Sequence, residues 1–233
     1  MKKQQYVLSA IALILCIALY IGGKTVPDKT AATAHTEGDG HDHSAESPQK
    51  IDFKSILAAA KATITPNQSQ RLTALENSVT RGDVKEQQIH AFHEMARFWL
   101  DSARKFELYA YYTSEAAKLE NSEKSLTFAA RLFLDRLMMS GDPAMQTWLA
   151  NNAKVLLENA LKINPANDSS RIGLGSCYLF GNISSNPMEG INMIRQVVEK
   201  NPGNVYGQMM LALGGKKSGQ YDKAIERFLL IVQ

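Results

Sequence analysis

The stretch SGQYDKAIERF, residues 218–228, contains the pattern that decides the fold. Gly219, Tyr221, Ala224 and Phe228 follow one another at offsets of two, three and four residues. A strand would need strict alternation, whereas offsets of three and four place side chains on one face of a helix. The stretch therefore predicts a turn at the glycine, followed by a helix that packs against the helix before it.

The same constellation recurs upstream at intervals of 34 and 37 residues. Each copy has a small residue followed by apolar residues four and seven positions later, and two copies end in a proline five positions after that. A repeat of this length predicts stacked pairs of helices. The copies are Ala153, Leu157, Ala160 and Pro165, then Gly190, Ile194, Val197 and Pro202, then Ala224, Phe228 and Ile231.

The first helix of each unit repeats as well, with Leu174-Gly175-x-x-Tyr178 in one copy and Leu211-Ala212-x-x-Gly215 in the next. Together these residues resemble the tetratricopeptide repeat, a 34-residue helix-turn-helix with L-G-x-x-Y, then A-x-x-x-F, then proline. The resemblance covers residues 83–233 and is clear from about residue 145. Residues 51–82 predict a separate N-terminal helical hairpin. The resemblance implies an all-α fold, a solenoid of helical hairpins.

Small residues explain how such helices pack. Gly175, Gly190, Ala212 and Ala224 let paired helices approach closely, and larger neighbours fill the space beside them. At the position where the family usually has tryptophan, this chain has Arg171 and Gln208, a departure from the family's pattern.

Turn residues predict where the helices begin and end. Thr65-Pro66 reads as an N-cap and first helical residue, and Gly141-Asp142-Pro143, NPAND (164–168) and NPGN (201–204) each read as a stop followed by a start. No such signal interrupts the stretch EQQIHAFHEMARFWLDSARKF, which predicts one continuous helix over 86–106.

The N-terminus predicts a membrane anchor. Residues 6–23 contain no charge, and an apolar helix of this length just spans a bilayer core of roughly 30 Å. Residues 1–5 contain Lys2 and Lys3, which predict a cytoplasmic tail and place the rest of the chain outside. A cleaved signal peptide is the alternative, since Ala32-Thr33-Ala34 has a suitable cleavage pattern ten residues late. The resulting localisation is the bacterial inner membrane with a periplasmic body, or the periplasm after cleavage.

Residues 24–50 are rich in small, polar and acidic residues and predict a disordered linker. The linker includes His35, His41 and His43, which are candidate ligands for a divalent metal and the basis of an alternative function in metal handling. Ordering such a segment costs entropy, so we expect weak binding at most.

The rest of the sequence indicates a binding protein and contains no recognisable catalytic motif. The net charge of +3 is too small to predict a nucleic-acid partner. His90 and His93 do not form a zinc-protease motif, and GGKKSG (214–219) has neither the order nor the spacing of a phosphate-binding loop. We expect no cofactor and no catalytic site. A hydrolase with an unrecognised site is the remaining alternative.

The resemblance implies a groove that binds a protein or peptide. In the family, ligand-facing side chains come from positions two, five, nine, twelve and thirteen of the first helix of each unit. The topology is similar to that of bacterial single-pass proteins that present such repeats outside the cytoplasm, and it implies a scaffold or chaperone-like adaptor. The implied groove residues are Ser169, Ile172, Ser176, Leu179 and Phe180, then Tyr206, Met209, Leu213, Lys216 and Lys217.

The C-terminal helix predicts a sticky surface. Residues 228–232 are all apolar, and Gln233 falls before the proline that would complete the repeat. Solenoids usually cover such a face with a polar capping helix. We therefore expect this end to be covered by a second copy, giving a homodimer, or by a partner, or else the chain to be a fragment.

Overall fold

The computed structural model describes residues 51–81 and 84–232. Within these residues every regular element is helical, so the all-α prediction is confirmed there. The elements are α1 (Phe53–Lys61), α2 (Pro66–Arg81), α3 (Lys85–Arg97), a π-helical turn (Phe98–Ser102), α4 (Phe106–Glu120), α5 (Glu123–Met139), α6 (Pro143–Ile163), α7 (Asp168–Phe180), α8 (Met188–Lys200), α9 (Val205–Lys217) and α10 (Tyr221–Val232).

Neighbouring helices pair as hairpins. The closest pairs are α3 with α4, α5 with α6, α7 with α8 and α9 with α10, and these hairpins stack in chain order. The first helices also touch across the stack, α5 against α7 and α7 against α9. At the N-terminal side α2 packs on α3, and α1 packs on α4. This is the stack of helical hairpins that the repeat pattern predicts.

Asparagine caps start the first helices of the last two hairpins. The Asn167 Oδ1 accepts a hydrogen bond from the Ser170 backbone N–H at 2.8 Å. One repeat later, the Asn204 Oδ1 accepts from the Gly207 N–H at 2.9 Å. Such a cap satisfies a backbone donor that the helix itself leaves unpaired. The two Asn-Pro turns are therefore the same structural device used twice, as their sequences predict.

The residues at the family's tryptophan position also act alike. The Arg171 guanidinium donates to the Pro165 carbonyl at 2.6 Å, and the Gln208 amide donates to the Pro202 carbonyl at 2.8 Å. Both bonds reach back from the second turn of a first helix to the turn before it. A polar side chain therefore ties the start of each of these two helices to the turn before it.

Two glycines let α7 and α8 cross closely. A Cβ atom built on Gly190 would lie 2.2 Å from the Gly175 carbonyl oxygen, and one built on Gly175 would lie 2.7 Å from the Gly190 oxygen. Both distances are far below a van der Waals contact, so neither position accepts a side chain. The expectation that small residues permit close pairing is confirmed at this crossing.

The continuous helix predicted over 86–106 is wrong. Helix α3 ends at Arg97, the π-helical turn follows, and Arg104 adopts a left-handed conformation with φ of 56° before α4 begins. The Lys105 N–H donates to the Trp99 carbonyl at 2.8 Å, which closes the turn. Phe98 and Trp99 are both buried. Residues 98–105 contain neither glycine nor proline. The chain changes direction here because these two rings are buried in the core.

The buried side chains form two clusters that meet at α4. One cluster fills the hairpins from α4 to α9, and the other lies between α1, α2, α3 and α4. Tyr111 and Ile56 pack against both clusters. The Phe53 ring of α1 stacks on Tyr111 with centroids 3.6 Å apart and meets Tyr112 edge-on at 5.8 Å. Helix α1 therefore covers the side of α4 through aromatic contacts.

The single cysteine of the described residues is a core residue. Cys177 is fully buried in α7 and has no disulfide partner there. Burial raises the pKa of its thiol from 9.0 to about 12, because the apolar surroundings disfavour the thiolate. The side chain therefore stays a neutral, apolar packing group at physiological pH.

The predicted N-terminal segments lie outside the described residues. These are the basic tail (1–5), the anchor (6–23) and the linker (24–50). Across residues 51–81 and 84–232, no helix has the length and apolar character needed to span a bilayer.

Candidate functional site

A groove of about 680 Å³ opens between the first helices of three successive hairpins. One wall belongs to α5, whose lining residues recur every three or four positions and so share one helix face. The other wall is the N-terminal end of α7 together with Tyr206 of α9. We call this the α5–α9 groove. It is lined by Lys124, Thr127, Phe128, Arg131, Leu134, Asp135, Leu157, Asn167, Ser169, Ser170 and Tyr206.

A second groove of about 370 Å³ lies between α3, the π-helical turn, α4 and α5, and we call it the α3–α5 groove. It contains the hydrogen bond between the His93 Nε2 and the Glu120 Oε1, 2.8 Å apart. Phe128 lines both grooves, and its side chain is 53% exposed. The two grooves are therefore adjacent at this ring, and we call them together the trough.

The charged groups of the α5–α9 groove are open to a ligand. Arg131 pairs with Asp135 at 3.8 Å, with side chains 80% and 63% exposed. A pair this long and exposed is weak, because solvent screens it and ordering the side chains costs entropy. The Arg131 guanidinium can therefore donate hydrogen bonds from its N–H groups to a ligand.

Two hydroxyls complete the polar side of the groove. Ser170 is 1% exposed, and its Oγ has no hydrogen-bond partner among the described residues. Burial raises the pKa of the Tyr206 phenol, an effect that contact with the Ser176 side chain opposes only in part. Tyr206 therefore keeps its proton at neutral pH and can donate a hydrogen bond.

Nine of the residues that the repeat register predicts for the groove fall into three groups. Ser169 and Tyr206 line the α5–α9 groove. Farther along α9, Met209 and Leu213 are half-buried and Lys216 is exposed. Four positions on α7 are instead buried and support the wall from behind: Ile172, Ser176, Leu179 and Phe180.

Glycines on α9 explain the buried group. The Ile172 Cδ1 lies 3.4 Å from where a Gly207 Cβ would be, and the Leu179 Cδ2 lies 2.8 Å from the corresponding point on Gly214. Gly207 and Gly214 are seven residues apart on one face of α9, so α9 lies directly on α7. The Ser176 hydroxyl turns inward and donates to the Ile172 carbonyl at 2.9 Å.

Lys217 holds the far end of α7. Its ammonium donates to the Leu179 carbonyl at 3.3 Å and lies 5.6 Å from the centre of the Phe180 ring. A cation is favoured at a helix C-terminus and over an aromatic face. The contacts assign Lys217 to the end of α7, and the neighbouring Lys216 remains on the exposed edge.

The α5 residues of the groove were missing from the sequence prediction. Counting the same five repeat positions from the start of α5 yields Lys124, Thr127, Arg131, Leu134 and Asp135, and all five line the groove. The sequence of α5 follows the same five positions. Counting back from α7 by one repeat length misses them, because α6 is longer than the second helices that follow it.

The candidate metal ligands do not contribute to this site. His35, His41 and His43 lie outside the described residues. Within the described residues, no group of three or more histidine, cysteine or acidic side chains is placed to hold a metal ion.

No family model matches the chain. No curated protein matches its sequence. Among solved structures, the crystal structure of MamA is similar at a TM-score of 0.42 and 11% identity, covering 72% of this chain and 94% of that one.

Proposed function

We propose that the helical body binds extended peptide segments of other proteins in the trough formed by the α5–α9 and α3–α5 grooves. In this role the protein is a scaffold or a chaperone-like adaptor. The observation that carries the proposal is the half-exposed Phe128 ring at the junction of two concave grooves.

The composition of the trough suits a peptide. Phe128, Leu134, Leu157 and Tyr206 offer apolar area, and charged and hydroxyl groups surround them. Peptide and protein interfaces commonly have an aromatic anchor at the centre and a polar rim, and the anchor contributes most of the binding free energy. First helices of stacked hairpins form such extended concave surfaces.

Replacement of the central ring tests the proposal. The full chain, purified in detergent, is used to select 12-residue peptides from a random library displayed between two carrier domains. We expect wild-type protein to enrich a sequence pattern with apolar anchors. Phe128→Ala should weaken the selected peptides about 30-fold, because loss of a central aromatic anchor costs about 2 kcal/mol.

Val155→Ala is the matched control. Val155 is also about half exposed but lies on α6 and lines neither groove, so its loss should leave peptide affinity unchanged. Circular dichroism should show equal helix content in both variants. A library that yields no enriched peptide, or equal affinity in the Phe128→Ala protein, would refute the proposal.

We further propose that residues 6–23 anchor the protein in the inner membrane of a bacterium, with the helical body in the periplasm. The uncharged run and the basic residues before it support this topology. The exposed apolar face of α10 supports a further proposal, that a second copy of the chain or a protein partner covers this face.

A further inference from the structure

The α5–α9 groove contains an excess of groups that donate hydrogen bonds. Lys124 and Arg131 lie on its α5 wall seven residues apart, two helical turns or about 10 Å. Asp135 is the acid among the lining residues that the structure describes. The Ser169 hydroxyl, the Ser170 hydroxyl and the Tyr206 phenol add donors on the opposite wall.

Within residues 51–81 and 84–232, the Ser170 hydroxyl lacks a hydrogen-bond partner, which a ligand could provide. The side chain is almost completely buried, and its Oγ has no partner among the described residues. Buried hydroxyls in proteins are nearly always hydrogen-bonded, because an unpaired one costs free energy. Ser170 lies in the first turn of α7, where the helix dipole also favours negative charge.

We infer that the α5–α9 groove recognises the carboxylate of an aspartate or glutamate side chain within the bound peptide. Arg131 and Lys124 would neutralise the carboxylate, and Ser170 and Tyr206 would donate hydrogen bonds to it. The inference rests on the proposed peptide-binding function and adds the chemistry of the ligand.

The second groove explains why the carboxylate belongs to a side chain and not to a chain end. Because Phe128 lines both grooves, a peptide that crosses this ring would contact both of them. The α3–α5 groove is lined by the carboxylates of Asp101 and Glu120 and the guanidinium of Arg97, with His93 hydrogen-bonded to Glu120. Carboxylates therefore outnumber the permanently charged bases there, whereas Lys124 and Arg131 outnumber Asp135 in the α5–α9 groove. An acidic residue of the peptide is therefore drawn to the α5–α9 groove and repelled by its neighbour.

The test uses the library selection with the full chain in detergent, since both ends of each displayed peptide are fused to carrier and offer no free carboxylate. We expect an aspartate or glutamate at a constant distance from the apolar anchor. For the best peptide, synthesised with acetyl and amide ends, replacing that acid with its amide should weaken binding about tenfold.

Variants of the groove should act in opposite directions. Arg131→Gln should weaken binding of the acidic peptide about tenfold, whereas Asp135→Asn should strengthen it. Both changes should be smaller for the amide peptide. Ser170→Ala should weaken the acidic peptide severalfold without loss of stability, because the hydroxyl that it removes has no partner in the free protein. Lys200→Gln removes an exposed cation outside both grooves and should change nothing.

Each outcome decides one of the two proposals. Enriched peptides that lack an acid, or equal binding of the acid and amide peptides, would overturn the carboxylate site and leave peptide binding intact. Peptides that bind only with a free C-terminus would also overturn it, in favour of a chain-end carboxylate. A selection with no enrichment at all would overturn the peptide-binding function and this inference with it.

Discussion

Gly175 and Gly190 show how single residues set the distance between helices. Each glycine lies where the other's carbonyl oxygen would collide with a Cβ atom, so the backbones of α7 and α8 touch directly. The same device appears between hairpins, where Gly207 and Gly214 bring α9 onto α7. Glycine inside a helix costs about 1 kcal/mol relative to alanine, and close packing offsets that cost here.

We predict that Gly190→Ala destabilises the protein by about 1–3 kcal/mol. The added methyl group meets backbone atoms, which cannot move aside as a flexible side chain can, and the gain in helix propensity does not compensate. Chemical denaturation followed by circular dichroism measures the free energy of unfolding.

Gly141→Ala is the matched control for this prediction. No atom lies within 4 Å of the place where its Cβ would stand, so its stability should change by no more than about 1 kcal/mol. Equal stability of the two variants would show that the α7–α8 crossing is looser than the structure has it.

Helix α10 is the element whose packing is least complete. Its Ala224 is buried beside α9, but Ile225, Leu229, Leu230 and Val232 are all more than half exposed. An exposed apolar stripe of this kind commonly marks an interaction surface. The apolar surface that the sequence predicts on the last helix is therefore exposed in the described residues.

We predict that Leu229→Gln combined with Leu230→Gln reduces self-association of a fragment spanning 46–233. Light scattering during size-exclusion chromatography, repeated over a range of concentrations, measures the change. Stability should remain within about 0.5 kcal/mol of wild type, since both side chains are exposed. Glu226→Gln, on the same helix, is the control, and an unchanged oligomeric state in the double variant would argue against association through this face.

The whole molecule joins a predicted anchor to a body with two buried clusters. Within the described residues, Tyr111 of α4 and Ile56 of α1 pack against both clusters and connect them. The trough runs along the first helices, from α3 to α9. The proposed peptide binding and the proposed anchoring therefore involve separate parts of the chain and can be tested separately.

At this scale we predict that the full chain fractionates with membranes and resists extraction by alkaline carbonate. The reason is the uncharged run of residues 6–23, which is long enough to cross the bilayer core. Deletion of residues 1–23 should release the protein into the soluble fraction, with the helices of residues 53–232 still folded by circular dichroism. Recovery of a mature N-terminus near His35 would show instead that the segment is cleaved.

The sequence by itself determined the class of fold and most helix ends. The repeated spacing of small and large residues is local information, and so are the Asn-Pro turns and the caps at Asn167 and Asn204. Hydrogen bonds of this kind join residues only three apart, so a reader of the sequence can place them without knowing what packs nearby. The same holds for the glycine crossing of α7 and α8, which the repeat register predicts.

Tertiary structure decided the break after Arg97 and the residues that line the groove. The chain turns at Arg104 because Phe98 and Trp99 enter a core made by distant helices, and no local signal records that. Likewise, Ile172 and Ser169 occupy comparable repeat positions, yet the first is covered by α9 and the second faces the groove. Exposure at such positions depends on how closely the next hairpin packs, and that distance is set by contacts between residues far apart in the chain.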